Sequence, residues 1–348
     1  MNSERTVLIT GGAGFFGGIL KSKLLEMGIR CVSIDLQPDP DRHPNLQSIL
    51  GDIRDVACVE RTFASAKFDA VFHCAAVLAH GSVDSKFLWS SNVEGTRNVA
   101  EMARRYHVPR LVYTSSNCLW GSSVDHAIAE DESPAPVEIY GRSKLAAERV
   151  LNGYKDDLFV STIRCPTIMD AGRLGLLAIL YEFIREDRRV WTIGDGSNRY
   201  QFIYAQDLAQ ACIQLLGYNG SDVFHIGADD VKPMCDIYRY VIREAGSKSR
   251  VCALPKWPAI AAMKAAYYLK ISPLGPYHYK MIAESFLFDT TKIKQKLGWK
   301  PTLTNEDMLL RAYKYYIRNL AEIAARTQVS PHRRVAPMGV IRLLKWVS

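Results

Sequence analysis

Short apolar runs alternate with helical segments up to about Pro166, and this alternation leaves few folds open. Runs such as RTVLIT and RCVSID are typical of buried strands, and SNVEGTRNVAEMARRYH has the periodicity of a long helix. Strands separated by helices of this length predict repeated βαβ units and therefore a parallel sheet. Because crossovers between parallel strands are right-handed, helices should cover both faces. We predict a doubly wound α/β fold.

A glycine-rich turn lies between the first predicted strand and the first predicted helix. It has the form G-x-x-G-x-x-G and contains Gly11, Gly14, Phe15, Phe16 and Gly17. Glycine lets backbone N–H groups approach a pyrophosphate, and the start of the helix favours negative charge. The position of the turn, between a strand and a helix, predicts a dinucleotide site.

An acidic residue, Asp35, ends the second predicted strand. A carboxylate at that position accepts hydrogen bonds from a ribose diol and repels a 2′-phosphate, so we expect NAD rather than NADP. Arg42 and His43 follow soon after, and either side chain could bind a 2′-phosphate, so NADP stays an alternative.

Asp52 and Ile53 follow the third predicted strand. We expect Asp52 to bond the adenine amino group and Ile53 to pack on the face of the base. The alternative is that Asp52 is the N-cap of the next helix, a position that aspartate also favours.

Tyr140 and Lys144 lie four residues apart at the start of a predicted helix, so both side chains share one face. A lysine ammonium near a phenol lowers the phenol's pKa, and the tyrosine could then exchange a proton with a substrate hydroxyl. Ser116, at the end of the fifth predicted strand, could bond the reacting oxygen. These three residues are the predicted catalytic set.

The ordered motifs resemble those of the extended short-chain dehydrogenases/reductases, the family of NAD-dependent nucleotide-sugar epimerases and dehydratases. The resemblance runs from Thr6 to about Tyr316 and implies a Rossmann sheet. It implies that Ser116, rather than Ser115, is the catalytic serine, and that Asn92 supports the helix beside the active site. It also implies further contacts to the cofactor, made by Ala75, Ala76, Lys144 and Pro166.

The two residues that follow Ser116 indicate which reaction of this family is favoured. In the 4,6-dehydratases of this family an Asp–Glu pair removes water, but here the positions hold Asn117 and Cys118, so dehydration is disfavoured. The 4-epimerases need no acid there, which favours epimerisation, and Asn117 could contact the substrate. Cys118 leaves a second option open, because related 3,5-epimerases carry a catalytic cysteine at the matching place.

Three basic residues are candidates for a substrate diphosphate. The segment from Gly194 to Asp207 resembles the one in which these enzymes place an arginine, which would be Arg199, although Arg199 could instead pair with Asp207 or Asp195. Arg173 and Lys280 are weaker candidates. After Pro166 the usual asparagine is absent, which opens a rival interpretation as a hydroxysteroid-type or other alcohol dehydrogenase that releases NADH.

The second half of the chain is less regular and predicts a smaller, interleaved C-terminal substrate lobe. We place the dinucleotide-binding domain at 1–166, with 199–228 returning to it, and the substrate lobe at 167–198 and 229–330. The tail, 331–348, carries Arg333, Arg334, Arg342 and Lys345 without an acid, and a basic amphipathic tail could touch an anionic membrane or dock on the enzyme.

The function that we expect is NAD-dependent epimerisation of a nucleotide-linked sugar, within carbohydrate metabolism. The alternatives are a net dehydrogenase and a non-catalytic protein that senses NAD. The family resemblance implies a homodimer through helices around 83–106 and 137–155. The lack of a secretory leader or a long apolar run predicts a cytoplasmic protein. The net charge of +8 alone does not indicate nucleic-acid binding, and we expect no bound metal.

Overall fold

The computed structural model describes residues 5–79, 83–121, 126–269, 282–325 and 335. The segment predicted as a basic tail therefore lies outside the described residues, apart from Val335, and so does Lys280. The described strands, in chain order, are β1 (Thr6–Thr10), β2 (Arg30–Asp35), β3 (Leu46–Leu50), β4 (Ala70–His73), β5 (Arg110–Ser116), β6 (Phe159–Cys165), β7 (Thr167–Met169), β8 (Val190–Ile193), β9 (Phe202–Tyr204), β10 (Asp222–His225) and β11 (Val251–Leu254).

Helices follow most of these strands. The described α-helices are α1 (Phe15–Glu26), α2 (Val56–Ala64), α3 (Ser85–Trp89), α4 (Gly95–Arg105), α5 (Ile139–Asn152), α6 (Leu177–Arg185), α7 (Ala205–Gln214), α8 (Met234–Glu244), α9 (Lys256–Tyr268), α10 (Thr291–Leu297), α11 (Asn305–Arg318) and α12 (Leu320–Ala325). A short 3₁₀ turn, Asn117–Leu119, follows β5 directly.

Seven strands form one sheet in the order β10-β6-β5-β4-β1-β2-β3. Each neighbouring pair in it is parallel. The predicted doubly wound α/β class is confirmed. The strand order reverses between β1 and β4, and ligands of such sheets bind outside the carboxyl ends of the strands at that point. Both predicted halves of the active site, the glycine turn after β1 and Ser116 at the end of β5, lie at this edge.

The central strands are almost fully buried because helices cover both of their faces. In β1, four of five residues are buried, whereas the edge strand β3 has none. One face of the sheet packs against α1 and α7 through side chains such as Leu20 and Leu208. The other packs against α2, α4 and α5 through side chains such as Val99 and Leu151.

A third apolar cluster forms the core of the C-terminal lobe and includes residues of α6, α8 and α11. Two small parallel sheets, β7 with β9 and β8 with β11, belong to this part of the chain. The sequence did not predict β7, β9 and β11. Each has only three or four residues and pairs with a strand distant in sequence, so no local pattern marks it.

The long helix predicted before β5, from Ser91 to His107, is α-helical only from Gly95 to Arg105. Between α3 and α4 the chain makes a π-helical turn over Ser90–Glu94. Such turns carry one extra residue, and they are frequent at functional sites. Among the described residues, no helix is long and apolar enough to cross a membrane.

Candidate active site

The glycine turn packs against the end of β4 so closely that a side chain does not fit. Gly11 has a φ of +76°, and a Cβ there would lie 2.7 Å from the backbone nitrogen of Ala75. A Cβ on Gly17 would lie 2.1 Å from the carbonyl oxygen of Gly11. Gly14 is the N-cap of α1 and supplies no side-chain cap, so the first N–H groups of the helix stay available to an anion.

Asp35 ties the end of β2 to this turn. Its carboxylate accepts hydrogen bonds from the backbone N–H of Ala13, at 3.0 Å, and of Gln37, at 2.9 Å. Burial raises its pKa, while these backbone N–H groups oppose that rise. Arg42, which left NADP open, donates instead to the carbonyl oxygens of Asp39 and Asp41, at 2.7 and 2.8 Å.

Lys21 is a buried lysine that the sequence analysis missed. It lies in α1 with no exposed surface, and its ammonium donates to the carbonyl oxygen of Gly12 at 3.1 Å. It also pairs with Asp39, itself buried, and with Asp41 at 2.9 Å. The cluster holds the segment after Asp35 against the glycine turn. The sequence feature that could have indicated this cluster is a lysine among the apolar residues of α1.

Asp52 does not cap a helix, so that alternative is wrong. The N-cap of α2 is Asp55, whose carboxylate accepts from the N–H of Ala57 at 3.0 Å and of Cys58 at 3.3 Å. Asp52 pairs with Arg54, which holds the pKa of its carboxyl below the usual value. Ile53 is buried, and a Cβ on Gly95 would touch it.

Tyr140 and Ser116 meet at the carboxyl end of β5. The Ser116 hydroxyl is close enough to the Tyr140 phenol to lower its pKa. It donates to the Asn117 amide oxygen at 3.4 Å and accepts from the N–H of Cys118 at 3.2 Å. Ser115 points elsewhere, since its hydroxyl donates to Glu148 at 2.5 Å. The two neighbouring serines therefore have different partners, and only Ser116 faces the phenol.

The predicted acidification of Tyr140 by Lys144 is wrong for the protein alone. Burial raises the pKa of the Tyr140 phenol, and the Ser116 hydrogen bond and the charge of Arg173 only partly oppose this rise. Lys144 donates to the carbonyl oxygen of Thr114 at 2.6 Å and lies over the ring of Tyr113. Burial lowers its own pKa to about 8. Loss of solvation outweighs a nearby charge when a phenol is enclosed by protein.

Asn92, in the π-helical turn, joins the backbone after β4 to α5. Its amide oxygen accepts from the N–H of Val77 at 2.7 Å, and its amide nitrogen donates to the Val77 carbonyl at 3.0 Å. The same nitrogen donates to Ser143, whose hydroxyl donates to the Tyr140 carbonyl at 2.8 Å. Asn92 is therefore placed to support the first turn of α5.

His73, at the end of β4, is buried and is held by hydrogen bonds to two threonines. Its ring nitrogens lie 2.6 Å from the Thr10 hydroxyl and 2.8 Å from the Thr96 hydroxyl. Burial, aided by the charge of Lys144, lowers its pKa to about 3, so the ring is neutral. The Thr10 hydroxyl accepts from the N–H of Ala75, at 3.2 Å. Ala76 is exposed and Pro166 is buried.

Asn117 and Cys118 follow Ser116 in the 3₁₀ turn, and Cys118 lies near the phenol. The Asn117 amide donates to the Tyr200 hydroxyl at 2.6 Å, which in turn lies 3.3 Å from the Thr167 hydroxyl. The Cys118 carbonyl packs so closely on α5 that a Cβ on Gly141 would lie 2.1 Å from it. The Cys118 side chain is near enough for its charge to raise the pKa of Tyr140.

Of the two predicted basic residues that the structure describes, Arg173 and Arg199, only Arg173 lies near the phenol. The Arg173 guanidinium is 5.9 Å from the ring centre of Phe15 in the glycine turn, and its charge lowers the pKa of Tyr140. Arg199 is exposed and, within the described part of the chain, forms no ion pair with Asp195 or Asp207.

A buried ion pair next to Ser115 was also missed. Arg164 of β6 donates to Glu148 of α5 through two nitrogens, at 3.1 and 2.8 Å. Both side chains are almost fully enclosed, and Arg164 also lies 5.2 Å from the ring centre of Trp120. The pair locks α5, which carries Tyr140 and Lys144, to the sheet. No group of residues that could hold a metal occurs in the described ranges.

A glycine turn on a doubly wound sheet, combined with this tyrosine, lysine and serine, defines a dinucleotide-dependent enzyme of the short-chain dehydrogenase class. The chain belongs to the NAD-dependent epimerase/dehydratase family, whose family model matches residues 7–227. Its cofactor is NAD.

Similar proteins include an uncharacterised protein, a hydroxysteroid dehydrogenase and a sugar epimerase. An uncharacterised protein of Sinorhizobium fredii, y4nG, is 34% identical over 92% of this chain and 80% of its own length. A 3beta-hydroxysteroid-dehydrogenase/decarboxylase of Arabidopsis thaliana is 28% identical over 98% of this chain and 66% of its own length. The structure of a UDP-glucose 4-epimerase of Thermotoga maritima with UDP-glucose aligns with a TM-score of 0.75 and 24% identity, covering 90% of this chain and 99% of that one.

Proposed function

We propose that the enzyme epimerises a nucleotide-linked sugar through a transient ketone, with Tyr140 as acid and base. The observation that carries the proposal is the pair of hydroxyls, Tyr140 and Ser116, with the Arg173 cation beside them. Two hydroxyls side by side can hold one substrate oxygen by two hydrogen bonds. A guanidinium between the phenol and the glycine turn suits a substrate whose other half is a diphosphate.

The residues present fit NAD. The glycine turn offers backbone N–H groups where a Cβ would clash, and Asp35 ends the neighbouring strand. Ala75 lies against the turn, next to Ala76, and Lys144 follows Tyr140 by one turn of α5, with its ammonium on the Thr114 carbonyl. NAD, when bound, supplies the acceptor of the hydride and later its donor.

The proton steps belong to the chain's own residues. Tyr140 acts as the base once its own proton has passed to solvent, and the phenolate oxygen then takes the proton of the substrate hydroxyl, while the Ser116 hydroxyl bonds that same substrate oxygen. The Thr114 carbonyl holds the Lys144 ammonium next to α5, where it stabilises negative charge that develops on the phenol. Burial favours the protonated phenol, so the proton is retained in the site until the ketone is reduced again.

Dehydration is not part of this proposal. Residues 117 and 118 provide no carboxyl group, and Asn117 is held by Tyr200. Cys118 stays a candidate for a second acid/base, because its side chain lies beside the phenol. Replacing it with serine tests this role, because a catalytic thiol would not be replaced by a hydroxyl of much higher pKa.

A second candidate function is the net oxidation of a hydroxysteroid. It is favoured by the relative that aligns with 98% of this chain and by the segment after Pro166. Thr167 stands where an asparagine would meet a sugar phosphate, and its hydroxyl contacts Tyr200. In this case the ketone would leave the site, and NADH would accumulate.

One assay separates these functions. Purified protein is incubated with NAD and either a panel of UDP-, GDP- and dTDP-sugars or a 3β-hydroxysteroid, while NADH absorbance and product stereochemistry are followed. Inverted sugar without net NADH supports the epimerase, and net NADH supports the dehydrogenase. NAD binding without turnover of any substrate would contradict both and favour a sensor.

A further inference from the structure

Helix α9 is apolar on every side and yet is not buried. Its sequence, KWPAIAAMKAAYY, contains only two charged residues, Lys256 and Lys264, and none of its residues is buried. A helix that is apolar all round normally lies in a protein core or in a membrane. The described chain covers α9 only in part: Ala259, Ile260, Met263 and Ala266 are half-buried, whereas the side that carries Trp257 and Tyr268 is exposed and could meet another surface.

The large apolar side chains with the greatest exposed fraction among the described residues lie in or directly after α9. Trp257 is 79% exposed, Tyr268 is 80% exposed, and Leu269, which ends the helix, is 70% exposed. Trp257 lies in the first turn, and Tyr267 and Tyr268 lie in the last. Trp and Tyr favour the boundary between lipid headgroups and acyl chains, because one part of each ring system is polar.

The positive charge of the sequence around α9 favours an anionic partner. Between Glu244 and Glu284 the sequence has no acidic residue, and its basic residues are Lys248, Arg250, Lys256, Lys264, Lys270 and Lys280. Asp195 is an acidic neighbour, and its pKa is lowered by Ser197 and, to a smaller extent, by Lys256. It adjoins the first turn of α9 only.

Two other possible partners of α9, a second copy of the helix and the chain's own C-terminal segment, fit its positive charge less well. A second copy of α9 would bring the same lysines together, and the chain's own C-terminal segment has Arg333, Arg334, Arg342 and Lys345 without an acid. Like charges oppose both contacts. Thirteen residues of helix are about 20 Å long, which is too short to span a bilayer but sufficient to lie along its surface.

We propose that α9 docks the enzyme on anionic lipid, lying in the interface with Trp257 and Tyr268 inserted and Lys256 and Lys264 at the headgroups. The helix is tied to the body of the lobe, because it follows β11, whose last residue, Leu254, accepts a hydrogen bond from Gly194 at 2.8 Å. Docking would therefore place the substrate lobe at the membrane. This inference does not depend on which substrate the enzyme uses.

Vesicle co-sedimentation of the full-length protein tests the proposal. Vesicles of phosphatidylcholine alone are compared with vesicles that also contain phosphatidylserine. We expect binding to the mixed vesicles, and a loss of about tenfold or more in the double variant Trp257→Gln/Tyr268→Gln, since two large apolar side chains no longer insert. Lys256→Gln/Lys264→Gln should lose about fivefold per lysine on the mixed vesicles.

Matched controls keep the test specific. Met27→Gln removes another exposed apolar side chain, which is 55% exposed at the end of α1, and Lys67→Gln removes an exposed lysine far from α9 in sequence. Both should bind vesicles as the wild type does. All variants should keep the wild-type unfolding temperature, because none of the replaced side chains is buried.

Three results would overturn the proposal. The first is equal vesicle binding by the α9 variants and their controls. The second is a wild type that does not bind the mixed vesicles, combined with self-association in sedimentation velocity that Trp257→Gln/Tyr268→Gln abolishes, which would identify a second copy as the cover. The third is vesicle binding that is lost on deletion of residues 331–348 but retained in the α9 variants.

Discussion

At the residue scale, the proposed chemistry depends on a buried phenol, whose proton the protein alone retains and whose phenolate the charge of Lys144 would stabilise during turnover. Ser116 and Arg173 are the groups that oppose the effect of burial on the Tyr140 pKa. Lys144 is held by the Thr114 carbonyl, so its charge is fixed in position beside α5.

Tyr140→Phe should lower turnover about a thousandfold, since the acid/base oxygen is removed while the ring is kept. NAD binding should persist, because no cofactor contact is assigned to the phenol oxygen. Isothermal titration with NAD and a turnover assay on the same preparation check both parts. A variant with more than a tenth of the wild-type rate would refute the role.

The two serines at the end of β5 should respond differently to substitution. Ser116→Ala should reduce kcat about a hundredfold with little change in stability, because it removes a hydrogen-bond donor to the reacting oxygen. Ser115→Ala should lower the free energy of unfolding by about 2 kcal/mol, because Glu148 loses a hydrogen bond in a buried site. Urea unfolding and steady-state kinetics of both variants decide the matter. Equal effects on kcat would contradict the assignment.

Lys144 predicts a pH dependence of stability. Burial lowers its pKa from the ordinary 10.5 to about 8. Between these values the unfolded chain binds more protons than the folded one, so the stability contributed by this residue increases as pH rises. We expect the unfolding temperature of the wild type, relative to Lys144→Met, to increase from pH 7 to pH 10 in the absence of NAD. Parallel curves for the two proteins would show that the lysine does not titrate in this range.

At the element scale, Lys21 joins α1 to the segment between β2 and β3. Lys21→Met should destabilise the protein by about 3 to 5 kcal/mol, because it leaves the buried Asp39 without its cation. The double variant Lys21→Met/Asp39→Asn should recover part of this loss, since the uncompensated charge is then gone. Lys23→Met, two residues away on the same helix, is the control. Urea unfolding measures the stability of all these variants. If Lys21→Met leaves the free energy of unfolding unchanged, Lys21 does not hold α1 and this segment together.

How much of the site the sequence could predict depends on whether a residue's role is local. The glycine turn, Asp35 and the Tyr140–Lys144 spacing are local patterns, and the structure places them at one edge of the sheet. The Lys21 cluster and the Glu148–Arg164 pair join residues far apart in the chain. No spacing rule could have paired them.

At the scale of the whole molecule, the predicted homodimer stays a prediction with a defined test. The outer faces of α4 and α5 form a shallow concave surface that includes Arg97, Ala146 and Val150. Ala146→Arg should convert a dimer to a monomer in sedimentation velocity, because it adds a charge and bulk to this surface. Gln210→Arg, on the exposed side of α7 across the sheet, should leave the dimer intact. A dimer that survives Ala146→Arg would place the contact elsewhere.

The sequence by itself determined the fold class, the family and the cofactor, because these rest on periodicity and on motifs whose members are close along the chain. Only the tertiary structure decided that Tyr140 is buried enough to hold its proton, that Asp55 rather than Asp52 caps α2, and that one side of α9 is exposed. The physical reason is that burial, desolvation and long-range pairing are properties of the packed chain, and each is set by residues far away in the sequence.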